Sequence, residues 1–119
     1  MRILAIACSL FMLLSLYACG GSYRQISTMN QNEIDKVEQI KHSYAKCIVQ
    51  KSLDLDDGKI DPKLIVDASS KDCNDQLVQM ALDLKRRDFA PIQVDQYVEE
   101  AKTEGKRKAL EAILRMRTQ

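Results

Sequence analysis

The sequence predicts an all-α fold, a small three-helix bundle of up-down-up topology. Three observations predict it. Four glycines, two prolines and six aromatic residues in 119 positions are too few turn and strand formers for an all-β domain. Lys, Glu, Gln, Leu and Ala are abundant, which favours helix. Three stretches carry apolar residues at three-to-four spacing, and two short breaks separate them, the pattern of consecutive antiparallel helices.

The bundle does not begin at residue 1. Arg2 precedes a continuous apolar run over residues 3–16. As a helix this run is roughly 21 Å long at about 1.5 Å per residue, short of the roughly 30 Å hydrocarbon core of a bilayer. It therefore reads as a removable export signal. It ends in Leu16-Tyr17-Ala18-Cys19, followed by Gly20, Gly21 and Ser22. This resembles the signal peptide and lipobox of bacterial lipoproteins. Leu16 and Ala18 match that pattern; Tyr17 is larger than the residue usual at its position. The resemblance implies cleavage before Cys19, a covalent lipid on its thiol, and attachment of residue 19 onward to the membrane. Two or more acyl chains give a stable anchor. Gly20 stands where an aspartate would favour inner-membrane retention in enteric lipoproteins, so the resemblance implies an outer-membrane anchor facing the periplasm. No other cofactor is expected.

Residues 19–32 are expected to form the lipidated cysteine and a flexible tether. Beyond Cys19, Gly, Ser, Thr, Asn and Gln dominate it, a linker composition. A flexible coil of this length spans on the order of 20 Å.

The helical domain is expected over residues 33–119. Helix 1 is expected over about 33–53, with Asn32 as N-cap and Glu33 and Asp35 against the helix dipole. Val37, Ile40, Tyr44 and Cys47 form its apolar stripe, flanked by Ile34 and Ile48. His42, the only histidine, lies off the stripe. The break over residues 53–61 resembles a calcium loop superficially, but the phase fails. With Gly58 as the turn glycine, the first, third and closing ligand positions fall on Leu53, Leu55 and Leu64, where calcium needs oxygen. The expected structure is a turn at Asp57-Gly58, with Asp61 and Pro62 as N-cap and first residue of the next helix.

Helix 2 is expected over about 62–87. Ile65, Ser69, Cys73, Leu77, Met80 and Leu84 make its inward stripe. Ser69-Ser70 is weak in helix propensity, and Lys85-Arg86-Arg87 suits the negative end of the dipole. A second break precedes Pro91. Helix 3 is expected over about 92–117. Val94, Val98, Ala101, Gly105, Ala109, Ala112 and Met116 trace its stripe, widened by Tyr97, Leu110, Ile113 and Leu114. Gly105 costs about 1 kcal/mol in a helix and marks either a close approach to a neighbouring helix or a kink.

The remaining cysteines follow from the address. On the lipoprotein resemblance, Cys8 would leave with residues 1–18 and Cys19 would take the lipid. Cys47 and Cys73 are left, an even pair in an exported domain, expected as one interhelical disulfide. Helical rise imposes a condition. Cys47 lies about 9 Å before the first break and Cys73 about 17 Å after it, whereas bonded cysteines need Cα atoms within about 7 Å. Helix 1 must therefore extend by a turn, or the loop must climb beyond it, or helix 2 must be interrupted near Ser69.

Function is far less legible. Removing residues 1–18 takes out Arg2 and no acid, leaving 17 basic and 17 acidic side chains. Nucleic-acid binding would need a basic excess and is not expected. No metal site is expected, since His42 and Cys47 stand about 140° apart round a helix. No catalytic residues are assigned: an enzyme is not expected, because no nucleophile–base arrangement or buried carboxylate pair emerges. Two classes stay open. One is an envelope lipoprotein acting by protein contact, as adaptor, assembly factor or structural element. The other is a periplasmic inhibitor or an immunity- or exclusion-type lipoprotein, for which the acidic loop at residues 54–61 is the candidate. The C-terminal half, with six bases against two acids over residues 101–119, is expected to be a solvated face. Weak contact of that face with anionic envelope polymers is a secondary expectation.

Overall fold

In the computed structural model, residues 22–119 are described. Cys8, Cys19 and the apolar run lie outside them. Among the described residues the fold is all-helical, with four helices rather than three: α1 (Gln31–Leu55), α2 (Pro62–Asp72), α3 (Asp75–Arg86) and α4 (Pro91–Arg117). One 3-10 turn, Ile26–Thr28, precedes them.

α1 starts two residues earlier than the sequence reading places it. Asn30, not Asn32, is the N-cap. Its side chain accepts from the Glu33 N–H at 2.9 Å, and the Asn30 N–H donates to Glu33 Oε1 at 3.2 Å. This reciprocal capping box satisfies two backbone donors at once.

The long second helix of the sequence reading is two helices. α2 ends at Asp72, Cys73 and Asn74 form the corner, and α3 begins at Asp75. The break falls four residues beyond Ser69-Ser70. Those serines keep the helix intact because both are bonded: Ser69 Oγ donates to the Ile65 carbonyl at 2.9 Å, and Ser70 Oγ lies 3.0 Å from Tyr44 Oη. The corner, together with the extension of α1 to Leu55, satisfies the spacing condition on the cysteines. Cys47 and Cys73 are bonded, with Cα atoms 6.0 Å apart.

α1 and α4 run alongside each other in the same direction. Tyr97 reaches Glu38 near their starts, Gly105 meets Tyr44 and Ile48 midway, and Arg117 holds Asp56 at their ends. A Cβ on Gly105 would lie 2.8 Å from Tyr44 Cε1, so this glycine is a close approach and not a kink. α2 and α3 return between them. The core is the stripe the spacing predicts for the second helix, with Ile65, Ser69, Cys73, Leu77, Met80 and Leu84 all buried. It packs against Val37, Tyr44 and Ile48 of α1 and Val94, Ala101, Ala109 and Ile113 of α4. Leu114 and Met116, which the spacing places inward, are exposed.

Candidate functional site

At the end of α3, backbone, aromatic and charged contacts converge on one corner. Asp88 takes a φ of 63°, the left-handed region that Asp tolerates better than most residues. The Asp88 N–H donates to the Lys85 carbonyl and the Phe89 N–H to the Leu84 carbonyl, at 3.1 and 3.2 Å. These two bonds satisfy the last carbonyls of α3, and the accompanying contact buries Phe89 beside Leu84.

The same corner leaves the backbone of residues 88–90 open on one side, and residue 24 fills it. The Arg24 N–H donates to the Asp88 carbonyl at 2.7 Å, and the Ala90 N–H donates to the Arg24 carbonyl at 2.9 Å. The Arg24 guanidinium then lies over the Phe89 ring, 4.2 Å from its centroid. Its two terminal nitrogens donate to the Glu33 carboxylate at 3.0 and 2.8 Å. Arg87 adds a longer contact to Glu33 at 3.8 Å. The paired Arg24 guanidinium holds the Glu33 carboxyl below the usual carboxylate range, outweighing the opposing effect of burial, with the Asn30 N–H helping. Beyond Arg24, the Ile26 N–H donates to Gln93 Oε1 at 2.9 Å, and Gln93 Nε2 donates to Gln25.

This clamp corrects the sequence reading of residues 19–32 as a flexible tether. From Arg24 onward the segment is part of the folded domain, joined to the α3–α4 corner by backbone and side chain. Residues 19–21 lie outside the described residues. Beside the clamp, α1 and α3 enclose a cleft of about 150 Å³, floored by Val37, Ile40, Met80 and Leu84 and rimmed by Lys36 and Asp83.

At the opposite pole the acidic loop is a folded turn. Asp57 Oδ1 accepts from the Lys59 and Ile60 N–H groups at 2.8 and 3.0 Å. Asp56 Oδ1 accepts from Gly58 N–H, and Asp61 Oδ1 from Lys63 N–H. Gly58 supplies the positive φ of 80°. The Arg117 guanidinium donates to Asp56 at 2.6 and 3.1 Å and to the Ile60 carbonyl at 2.6 Å. Arg117, then the Gly58 N–H, holds the Asp56 carboxyl below its usual range; the two backbone donors do the same for Asp57. These carboxylates face inward onto backbone N–H groups, a donor-facing arrangement opposite to an ion cage.

Of the other candidates, His42 is exposed on α1. The basic C-terminal half is largely matched by acids: Lys102 with Glu99, Lys106 with Asp67, Arg107 with Glu111, Lys108 with Glu104 and Arg117 with Asp56. Among the described residues, no group of three His, Cys, Asp or Glu is placed to hold a metal ion, and no helix is long and apolar enough to cross a membrane. Cys19 lies outside the described residues. Sequence reasoning missed Arg24 and Phe89. It took Glu33 only as a dipole partner, although Asn30 three residues before Glu33 is a legible capping signal.

Comparison of the chain with family models, with curated proteins and with solved structures found no match.

Proposed function

We propose that this chain is a bacterial envelope lipoprotein, anchored through lipid on Cys19, that acts through protein contact, as an adaptor, assembly factor or structural element.

 The observation that carries this reading is the lipobox, Leu16-Tyr17-Ala18-Cys19 after an apolar run. The Cys47–Cys73 disulfide supports it, because such bonds persist in exported proteins. The clamp supports it too: a segment that leaves the anchor and is fastened at once to the bundle gives the domain a defined position, which a contact protein needs.

The outer membrane, facing the periplasm, is the proposed site of the anchor. The partner is an envelope protein. The domain is proposed to do no catalysis of its own.

Metabolic labelling with a fatty-acid probe tests the anchor. Wild-type protein takes up label and Cys19→Ala does not; label that persists in Cys19→Ala contradicts the reading. Cross-linking in intact envelopes then tests contact. One partner captured by wild type and lost with Cys19→Ala supports the adaptor class, and capture of nothing above background contradicts it.

A further inference from the structure

We infer that the pole of the bundle bearing Tyr23, Arg86, Pro91 and Ile92 rests on the bilayer that holds the lipid, an inference that rests on the lipidated Cys19 proposed above. The occupant of this surface is the membrane itself, and the length of chain between anchor and clamp identifies it. Arg24 is fixed to the α3–α4 corner by two backbone hydrogen bonds and to Glu33 by two more. Only five Cα–Cα steps separate it from Cys19. Whatever conformation those residues adopt, covalent geometry limits their reach to about 18 Å. α1 alone, with 25 residues, is about 37 Å long. The corner therefore lies within a tether length of the bilayer surface, and the loop at residues 56–61 can lie far beyond it.

The side chains exposed at this corner suit that position. Ile92, two residues past Ala90, is 74% exposed, the most exposed of the large apolar side chains in the domain. Tyr23, adjacent to the clamped Arg24, is 57% exposed. An aromatic ring with a polar tip is favoured at the headgroup level of a membrane. The charges around them are largely matched: Arg24 and Arg87 face Glu33, and Lys85 pairs with Asp95 at 2.8 Å. Arg86 makes no ion pair among the described residues and can extend to a phosphate while its stem lies along apolar surface. Contact through Tyr23 and Ile92 is thus apolar in the main and does not require anionic lipid.

The chain contains no tryptophan, so a single introduced indole reports its own surroundings. Full-length lipidated Ile92→Trp and Leu64→Trp proteins are reconstituted in phosphatidylcholine vesicles whose acyl chains are brominated near the headgroup. Leu64 is 63% exposed at the opposite pole, so both sites tolerate the larger ring. The inference predicts that Ile92→Trp emission shifts to the blue and loses most of its intensity, while Leu64→Trp keeps nearly all of it. Equal quenching at both sites means that the bundle lies on its side, and overturns the inference; so does an unquenched Ile92→Trp. The mass of the same samples distinguishes a lost anchor from a different orientation. Acyl groups on Cys19 with Ile92→Trp unquenched overturn only the orientation. An unmodified Cys19 overturns the anchor and the orientation together.

Discussion

The two ends of α1 are each closed by an arginine on a carboxylate, and they are closed differently. At the start, Arg24 grips Glu33 while lying over a buried ring, and its own backbone bridges the α3–α4 corner. At the end, Arg117 grips Asp56 and the Ile60 carbonyl, but residues 57–60 are exposed and, among the described residues, no aromatic ring supports the guanidinium. The first closure combines hydrophobic burial with charge and backbone pairing. The second is a polar clasp on a surface turn. The difference teaches which end is tied to the core. The amino-terminal pole is built into the core through Phe89, whereas among the described residues the acidic loop is held by the Arg117–Asp56 ion pair and by hydrogen bonds.

The strongest way to break this contrast is to remove the ring. Phe89→Ala should cost about 3–5 kcal/mol of stability, the usual loss for a buried aromatic. Calorimetric unfolding measures the total, and hydrogen exchange locates it: protection of the Arg24 and Ala90 amides should fall, while the Lys59 and Ile60 amides change little. Equal loss at both poles would erase the distinction.

Next in size is the staple between them. Cys47→Ser with Cys73→Ser opens a loop of 25 intervening residues, which chain-entropy arguments put at roughly 3–4 kcal/mol. Denaturant unfolding with and without reductant checks it. Because the bond joins the middle of α1 to the α2–α3 corner, both poles should loosen together. Insensitivity of the wild type to reductant would contradict the role assigned to the disulfide.

Acid sharpens the comparison further. Glu33, Asp56 and Asp57 all titrate below the ordinary carboxylate range in the folded chain. In the window between folded and unfolded values the unfolded state binds more protons, so stability rises with pH there. The contribution is complete above the unfolded values and disappears as pH falls through the folded ones. Melting temperature should therefore drop on acidification. Glu33→Gln and Asp56→Asn should each flatten part of that slope, which pH-dependent melting curves would resolve. A slope unchanged in both variants would count against these pairs.

The smallest expected effect concerns Ser52, in the last turns of α1. Its hydroxyl is buried and, among the described residues, without a hydrogen-bond partner. Ser52→Ala should be neutral or stabilising by up to about 1 kcal/mol, since it removes an unsatisfied polar group. A loss of stability on denaturant titration would show that the hydroxyl is bonded after all.

The contrast also marks where the sequence could be read. Each of the six stripe residues from Ile65 to Leu84 is buried, because burial at helical spacing leaves a local trace, but Val66 and Ser70 are buried as well and the stripe did not include them. The sequence offers an interruption of the second helix near Ser69 as one of three possibilities, and it lies instead at Cys73 and Asn74, where Asn74 followed by Asp75 is a local start signal; the two serines before it looked weaker and turned out to be bonded. The clamp had no such trace. Arg24 sits in a polar stretch that reads as linker, and its partners at residues 88–90 are more than sixty positions away. Their backbone is presented only because Asp88 adopts a left-handed conformation at the end of α3. Exposure of Leu114 and Met116 was equally illegible: among the described residues the end of α4 meets the bundle through Ile113 and Arg117 instead.

The central claim is a chain that begins at a lipidated Cys19 and is stapled at Cys47–Cys73. One measurement tests it most directly: the intact mass and peptide map of protein taken from the envelope and alkylated without reductant. The account predicts a first residue of Cys19 carrying acyl chains, with Cys47 and Cys73 unalkylated. A chain that retains residues 1–18, or a Cys19 free of lipid, or alkylated thiols at Cys47 and Cys73, would contradict it.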